Sequence, residues 1–502
     1  MTELGDAPAA LSKRVARGTA WTISFRLADR AIGIASTLVL VRVLSPEDFG
    51  VVAMAMTLVT LLEVLTLAEF SSAIIQHPSP DRDYYDSAFT LSLLFGLVGT
   101  LSMLVAARPV AQFFGEPRLV TVILALSVLP TIDGLFNMGC VDFRRNMQFR
   151  MDFIYMLGRK LSGVLIVIPL ALIFQSYWAL VGGTIVGRSV GLLLSYVLHP
   201  FRPRLSVRSA RPLFRFSGWV ILNNGLTYLS VRGAHLIIGR VAGASTLGTY
   251  TVAHEMANLP TTELAYPINR VVFPAYSRLS SDLAALRHGF LRVLGVMSLV
   301  TIPAGIGLAS VAHLFVPVIL GDKWESATSL IRILAVAGAI HVIQANIESL
   351  YFSLGRPRFK AVLTVCEACL FLPLAYIFLE RFGLQGVAWA FLATVCVSTP
   401  ANFALAARMI RLPPAEVPRN IWRPTLAASA MALVLHLAFP ASAVTSNVLR
   451  DAVTLASAVI TGIVTYFAVI VSLWVLSGKP DGAEKWLVGR LQAAKRATTG
   501  HR

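Results

Sequence analysis

Charged residues are scarce in this sequence, because only 14% of its 502 residues are Asp, Glu, Lys or Arg, against about a quarter in a soluble globular domain. Hydrophobic residues make up 56%. Long polar segments are missing too: apolar stretches of roughly 20 residues, the length a helix needs to cross hydrocarbon, recur from Gly18 to Leu476. This composition excludes a soluble protein and predicts a chain of membrane-spanning helices.

Cysteine is rare, and its placement excludes a disulfide framework. Cys140, Cys366, Cys369 and Cys396 all fall in apolar segments, which predicts buried small hydrophobic residues. The Cys366-x-x-Cys369 spacing resembles a metal or redox pair, but inside a spanning helix we expect packing.

Enzyme signatures are also missing. The sequence contains no G-x-x-x-x-G-K-[ST] phosphate loop, no H-E-x-x-H motif and no segment long enough for an extramembrane catalytic domain. We therefore expect a protein that is not an enzyme and that carries no cofactor and no metal.

The apolar runs predict an all-α polytopic membrane protein with about fourteen transmembrane helices. The predicted spans lie near 17–42, 50–75, 84–107, 119–141, 152–174, 177–199, 214–240, 247–274, 289–312, 325–352, 360–380, 384–407, 422–441 and 451–476. Every connection is short. The longest, from Phe201 to Arg215, carries five arginines and no acidic residue.

The net charge of +17 is explained by membrane orientation rather than by nucleic-acid binding. With the N-terminus inside, cytoplasmic segments hold roughly four times as many Lys and Arg as periplasmic ones. We therefore expect a multi-pass protein of the bacterial inner membrane with both termini cytoplasmic and no nucleic-acid partner. One predicted cytoplasmic loop, with Asp81, Arg82, Asp83 and Asp86, carries net negative charge and does not follow the rule.

The chain repeats itself at a constant offset of 198 residues. The repeated residues are Trp21, Arg42 and Gly50, which recur as Trp219, Arg240 and Gly248. The repeat predicts two six-helix lobes related by a pseudo-twofold axis along the membrane normal, followed by two extra helices. The predicted segments are an N-terminal lobe over 1–200, a C-terminal lobe over 201–411, the extra helices over 412–477 and a basic cytoplasmic tail over 478–502.

Three local motifs resemble the polysaccharide-transporter family. They are Gly18-x-x-Trp21, the Leu-Ser-Pro-Glu-Asp-Phe-Gly turn at 44–50, and the Phe-Arg-Arg-Asn-Met-Gln-Phe-Arg loop at 143–150. This resemblance implies a flippase that moves an undecaprenyl-diphosphate-linked oligosaccharide across the inner membrane by alternating access, for exopolysaccharide, capsule or lipopolysaccharide synthesis.

The same resemblance implies a set of partners and leaves two other functions open. The expected partners are the lipid-linked oligosaccharide, membrane lipids, and a polysaccharide polymerase and chain-length regulator, with the protein itself a monomer. The superfamily also contains multidrug exporters and peptidoglycan-precursor flippases. A multidrug or small-cation antiporter and a flippase for the peptidoglycan precursor therefore remain alternatives.

Charges inside the predicted spans indicate a central polar cavity, because a lipid-facing charge at the centre of a helix costs about 2.5–3.5 kcal/mol. Arg26, Asp29 and Arg30 share one face of the first helix. We expect the two arginines to bind a diphosphate or acidic sugar, although an internal ion-pair cluster is the alternative. The other residues expected to line the cavity are Asn224, Tyr228, Arg232, His235, Arg270 and Arg332.

Other intramembrane residues receive different roles. Gly183, Gly187 and Gly191 give one helix a smooth face for packing, and Arg159 and Lys160 look interfacial. Salt bridging is the commoner fate of an intramembrane acid, but coupling to a proton or sodium ion is a second possibility. The candidates for ion coupling are Asp133, Glu255, Glu263 and Glu348.

Overall fold

The computed structural model of the protein describes residues 6–66, 70–440 and 447–480, and it leaves out the side chains of 6–23, of most of 214–231 and of parts of 266–271. The chain divides into two compact units, Met1–Gly248 and Thr249–Arg502. The helices are α1 Asp6–Val43, α2 Pro46–Thr66, α3 Phe70–Gln76, α4 Arg82–Phe114, α5 Arg118–Leu126, α6 Val128–Gly134, α7 Asp142–Arg145, α8 Phe149–Phe174, α9 Trp178–Leu198, α10 Ala210–Leu279, α11 Leu283–Phe315, α12 Ala327–Ser353, α13 Pro357–Phe382, α14 Leu384–Ile410, α15 Glu416–Ala438 and α16 Val448–Leu476.

Within these described residues, nine helices are long and apolar enough to cross a membrane, or ten if the bent pair over 118–145 counts as one span. The prediction of an all-helical, multi-pass membrane protein is therefore confirmed. The predicted span near 50–75 contains residues outside the description, and those near 17–42, 214–240 and 247–274 contain side chains that are left out. The number fourteen, the two-lobe symmetry and the four predicted segments stay predictions, and most of the 478–502 tail lies outside the described residues.

The predicted span near 119–141 lies within the bent pair over 118–145, and the structure breaks it at a turn. α5 and α6 are followed by a short 3-10 turn, Met138–Val141. The segment Arg118–Gly134 and the segment Met138–Arg145 meet at a bend of 69°. Asn137 stabilises the break: its side chain accepts from the backbone N–H of Gly139 and donates to the carbonyls of Ser195 and Phe201. A run of apolar residues reveals none of these contacts, so the sequence reads as continuous.

The turns of the first unit gather at two ends of opposite charge. At the acidic end, which contains the turns at 44–48, 115–118 and 175–177, Arg118 contacts both Glu47 and Glu116, and the N–H of Tyr177 donates to Asp48 at 2.9 Å. Hydrogen bonds from the Arg118 side chain hold the pKa of Glu116 below its ordinary value. This grouping places the three turns on one side of the helices.

The other turns, at 77–86, 142–148 and 199–209, form the basic end, with six arginines and four aspartates. Tyr85 hydrogen-bonds to Asp142, and His199 lies 3.9 Å from the same carboxylate. Arg145 donates to the carbonyls of His77 and Pro78. Successive connections therefore alternate between the two ends, as an up-and-down arrangement of helices requires.

The structure explains why the predicted cytoplasmic loop over 81–86 carries net negative charge, against the excess of Lys and Arg expected on that side. The backbone N–H of Arg204 donates to Asp86 at 2.8 Å, and Arg208 lies 3.2 Å from Asp83. Ser206 adds a backbone hydrogen bond to Thr90 at 2.8 Å. The aspartates at the start of α4 thus anchor the basic segment that follows α9.

The repeated glycines make a reciprocal helix contact inside the first unit. A Cβ on Gly50 would lie 1.7 Å from the carbonyl oxygen of Ala244, and one on Gly248 would lie 1.8 Å from that of Pro46. Ala244 is the repeat equivalent of Pro46. Only glycine permits this approach of two backbones. Nearby, Gly243 adopts a φ of +80° and bends α10 between its two arms.

The second unit has its largest apolar cluster around α11, α12 and α14–α16, with Phe290, Leu350 and Met431 in it. The hydroxyl of Tyr466 on α16 donates to the carbonyl of Leu299 on α11 at 2.8 Å. The last two helices therefore pack against α11.

The cysteine prediction is correct only for Cys140, which is buried. Cys366, Cys369 and Cys396 are exposed on α13 and α14. Other helices cover α13 and α14 on only part of their surface, so small residues do not have to face the protein interior. In the part of the chain that is described, no group of three or more His, Cys, Asp or Glu could hold a metal ion.

Candidate functional site

The site begins with the close packing of α8 on α9. A Cβ on Gly183 would lie 2.6 Å from that of Val167, and one on Gly187 would lie 3.2 Å from the Cα of Gly163. The predicted packing role of this glycine stripe is confirmed. Gly191 has a further effect, since a Cβ there would lie 3.0 Å from Cγ and Cδ of Arg159. The missing side chain leaves room for the stem of that arginine.

Arg188, at the middle of α9, holds two carboxylates from different helices. One of its terminal nitrogens contacts both Glu63 on α2 and Asp133 on α6. Arg159 on α8 approaches the other oxygen of Asp133 at 3.9 Å. The Arg188 side chain is only 13% exposed, so each of these charges depends on its partners rather than on water.

A separate ion pair joins α8 to the first helix. Lys160, the neighbour of Arg159 on α8, lies 3.3 Å from Asp29 on α1. Both of these side chains are 37% exposed. The pair is thus the accessible part of the cluster, and Arg188 is its buried part.

We call these six residues the ion network of the first unit: Asp29, Glu63, Asp133, Arg159, Lys160 and Arg188. Its three cations and three carboxylates balance, and its members come from α1, α2, α6, α8 and α9. Neutrality makes this charge density tolerable among apolar helices. Four of its members join α2, α6, α8 and α9, and the Lys160–Asp29 pair joins α8 to α1.

The interfacial role predicted for Arg159 and Lys160 is wrong. Both lie near the middle of α8 rather than at its end, and both are paired with acids from other helices. Two adjacent basic residues look like a helix terminus in a sequence scan. Arg159 and Lys160 could have been recognised as paired residues by the same argument that identified Arg26 and Arg30, namely the free-energy cost of an unpaired charge in lipid.

The predicted cavity residues occupy different environments. Arg26 and Arg30 are half-buried on α1, on either side of Asp29. The hydroxyl of Tyr228 donates to the carbonyl of Thr57 at 2.5 Å, which attaches α10 to α2. Arg232 lies 3.3 Å from the ring of His235, which is buried. The structure therefore pairs Asp29 and Asp133 with two adjacent residues of α8, Lys160 and Arg159, and places Tyr228 in a helix contact.

The remaining predicted residues are spread over the chain. The side chains of Asn224 and Arg270 lie outside the described residues. Arg332 and Glu255 are exposed, and Glu263 is half-buried. Glu348 pairs with Lys360 at 3.3 Å.

Long apolar helices with an intramembrane ion network define a multi-pass membrane protein of the transporter type. Residues 39–329, more than half of the chain, match the polysaccharide biosynthesis protein family. The protein belongs to that family.

Individual relatives are consistent with this membership. The chain is 25% identical to the lipopolysaccharide biosynthesis protein WzxC of Escherichia coli over 78% of its own length and 81% of that protein. It is also 25% identical to the succinoglycan biosynthesis transport protein ExoT of Rhizobium meliloti, over 66% and 68% of the two chains.

A solved structure shares the fold. The lipid II flippase MurJ in an inward closed conformation superimposes with a TM-score of 0.75, covering 90% of this chain and 99% of the other at 13% identity. At this identity the likeness establishes the fold and not the substrate.

Proposed function

We propose that this protein is a flippase for an undecaprenyl-diphosphate-linked oligosaccharide repeat unit and that it works by alternating access in the bacterial inner membrane. The observation that carries the proposal is the ion network, because it places three cations at membrane depth inside a transporter fold. A diphosphate crossing hydrocarbon needs such charge-assisted partners. Relatives named for lipopolysaccharide and succinoglycan biosynthesis support this substrate class.

In this proposal Arg26 and Arg30 bind the diphosphate, next to the accessible Asp29–Lys160 pair. The further proposed binding residues are Asn224, Arg232 and His235 in the first unit and Arg270 and Arg332 in the second. Asp133 is the best placed of the ion-coupling candidates, because its pairing with Arg188 and Arg159 would respond to a proton or a bound cation. A polymerase and a chain-length regulator are the proposed partners, and the protein acts as a monomer.

The two alternative functions differ in the charge of the substrate and in the polymer that depends on it. A multidrug or small-cation antiporter must attract cations, which arginines at the site would repel. A peptidoglycan-precursor flippase shares the fold seen in MurJ. Deletion of the gene distinguishes these functions.

Deletion is expected to abolish surface polysaccharide and to accumulate lipid-linked repeat units on the cytoplasmic side, because the precursor loses its route through the membrane. Quantifying surface polymer and extracted lipid-linked saccharide measures both effects. Restoration by the plasmid-borne gene is the control. Sensitivity to cationic dyes with intact polymer would replace the proposal by the exporter, and lysis with intact polymer would replace it by the peptidoglycan function.

We also propose an orientation with both termini in the cytoplasm. The basic end of the first unit, with six arginines against four aspartates, then faces inside, and the acidic end, with one arginine against Glu47, Asp48 and Glu116, faces outside. A fluorescent reporter that folds only in the cytoplasm should be bright when fused after Arg502. An alkaline phosphatase fused at the same position should be inactive, and the reverse pattern would refute this orientation.

A further inference from the structure

An unusual exposed residue occurs at the centre of the second unit. α12 is the most deeply buried of the candidate spans, yet His341 at its middle is exposed. The neighbouring helix faces of α10, α13 and α14 approach the same place. Because an aromatic ring of α14 lies beside this exposed imidazole, we interpret the exposure as an opening within the unit.

Aromatic rings surround this histidine. The ring centroid of Phe391 on α14 lies 5.9 Å from that of His341, 6.0 Å from that of His254 and 5.8 Å from that of Phe371. His254 in turn stacks on Tyr250 at 5.6 Å. We call these five residues the aromatic cluster. Phe391 is half-buried, so its ring remains partly available for contact with the apolar C–H face of a ligand.

Amide and hydroxyl groups continue from the aromatic cluster along the same helices. The amide of Gln344 donates to the hydroxyls of Thr399 at 2.6 Å and Ser398 at 3.1 Å. One helical turn or so further on, Asn402 donates to Glu367 at 3.2 Å. Gln344, Ser398 and Asn402 are buried, whereas Thr399 and Glu367 are half-buried and can exchange hydrogen bonds with the hydroxyls of a ligand.

The direction of this surface is the same on all three helices. It runs from His341 to Gln344 on α12, from Phe371 to Glu367 on α13, and from Phe391 to Thr399 on α14. It ends at the ion pair of Glu348 with Lys360, at 3.3 Å. With the histidines neutral, Glu348, Lys360 and Glu367 give this surface a net charge of −1. A diphosphate is disfavoured here, whereas a neutral polyhydroxylated ligand is accommodated.

We propose that this surface of α12, α13 and α14 around His341 and Phe391 binds the sugar residues of the lipid-linked oligosaccharide. The inference rests on the proposed function, and it assigns the glycan to the second unit alone. Aromatic and imidazole rings contact the C–H faces of the sugar, and the half-buried hydroxyl of Thr399 and carboxylate of Glu367 exchange hydrogen bonds with its hydroxyls.

The test uses the full chain in detergent and native mass spectrometry with two probes, undecaprenyl diphosphate and undecaprenyl diphosphate carrying one hexose. The unsubstituted protein should bind the hexose-bearing probe about fivefold more tightly, as one or two added hydrogen bonds would give. His341→Ala and Phe391→Ala should reduce this ratio to about one and leave binding of the bare probe unchanged. His341→Gln, which keeps a hydrogen-bonding group, should retain part of the preference.

Val362→Ala is the matched control, because this side chain on α13 is 60% exposed and lies outside the aromatic cluster. A parental ratio in both alanine variants, or equal binding of the two probes by the unsubstituted protein, would refute the sugar site and leave the flippase proposal intact. Binding of neither probe by the unsubstituted protein would instead refute the proposed function itself. Thermal unfolding of each variant verifies that it is folded.

Discussion

Replacing Arg188 with leucine is expected to destabilise the folded protein by about 3 kcal/mol or more, since it leaves two carboxylates without their shared partner in a buried setting. Glu63 and Asp133 both contact this guanidinium. Arg159 lies 3.9 Å from Asp133, so it compensates only in part. The expected result is a lower midpoint of thermal unfolding in detergent and less protein in the membrane.

Arg118→Leu is the control for this experiment. Arg118 also contacts two carboxylates, Glu47 and Glu116, but its side chain is 39% exposed at the acidic end, against 13% for Arg188. Exposed pairs of this kind contribute about 0–1 kcal/mol. The same chemical change should therefore have a small effect at 118 and a large one at 188. Equal effects at the two positions would show that burial does not set the strength of the network.

Neutralising the stranded acids should restore part of the lost stability. In the Arg188→Leu background, Glu63→Gln and Asp133→Asn remove the unpaired charges and keep the side-chain volumes. This triple variant should have a higher free energy of unfolding than Arg188→Leu alone, because it no longer contains an isolated carboxylate and not because it forms a new contact. A triple variant less stable than Arg188→Leu alone would indicate that the acids have other essential partners.

The helical architecture is predictable from the sequence because hydrocarbon imposes one requirement on every span. An apolar run such as 84–107 or 360–380 is long enough for a helix, and α4 and α13 contain these ranges. The break over 119–141 is not predictable in this way. It depends on the side chain of Asn137 reaching carbonyls near residue 200, and a local pattern contains no information about that distant contact.

The ion network shows a similar limit for the site. The energetic cost of charge in lipid correctly indicates that intramembrane charges need partners, and it identifies Asp29 and Asp133 as members of a polar cluster. Which cation meets which acid depends on how α8 and α9 pack. The Gly183, Gly187 and Gly191 stripe predicts that α9 has a close neighbour, but only the structure identifies α8 and gives Arg159 its place against Gly191.

The two units differ in the chemistry they offer to a substrate. The first unit has Arg26 and Arg30 beside a neutral ion network, whereas the polar surface of the second has aromatic rings and a slight negative charge. A lipid-linked oligosaccharide contains both kinds of group. The proposals for the two units therefore make separate predictions. Substitutions in the first unit should reduce binding of the diphosphate, and substitutions in the second should reduce the preference for a sugar-bearing ligand.

Replacing both Arg26 and Arg30 with alanine is expected to abolish polymer export while the protein stays folded in the membrane. The two arginines are half-buried on α1 beside the accessible Asp29–Lys160 pair. Their removal takes away charge-assisted hydrogen bonds to the diphosphate, which contribute more than neutral ones do. Export is measured as surface polysaccharide in a deletion strain that carries each variant at equal membrane abundance.

Lysine at both positions should restore part of the export, because the charge returns while the two-nitrogen geometry of the guanidinium does not. Arg108→Ala is the matched control: it removes the same charge from an exposed position on α4 and should leave export unchanged. Since Arg188→Leu acts on stability and the double alanine variant on transport, the two experiments separate structural from functional charge. Normal export by a stable double alanine variant would assign Arg26 and Arg30 to an internal ion-pair cluster and leave diphosphate binding to Lys160 and Arg159.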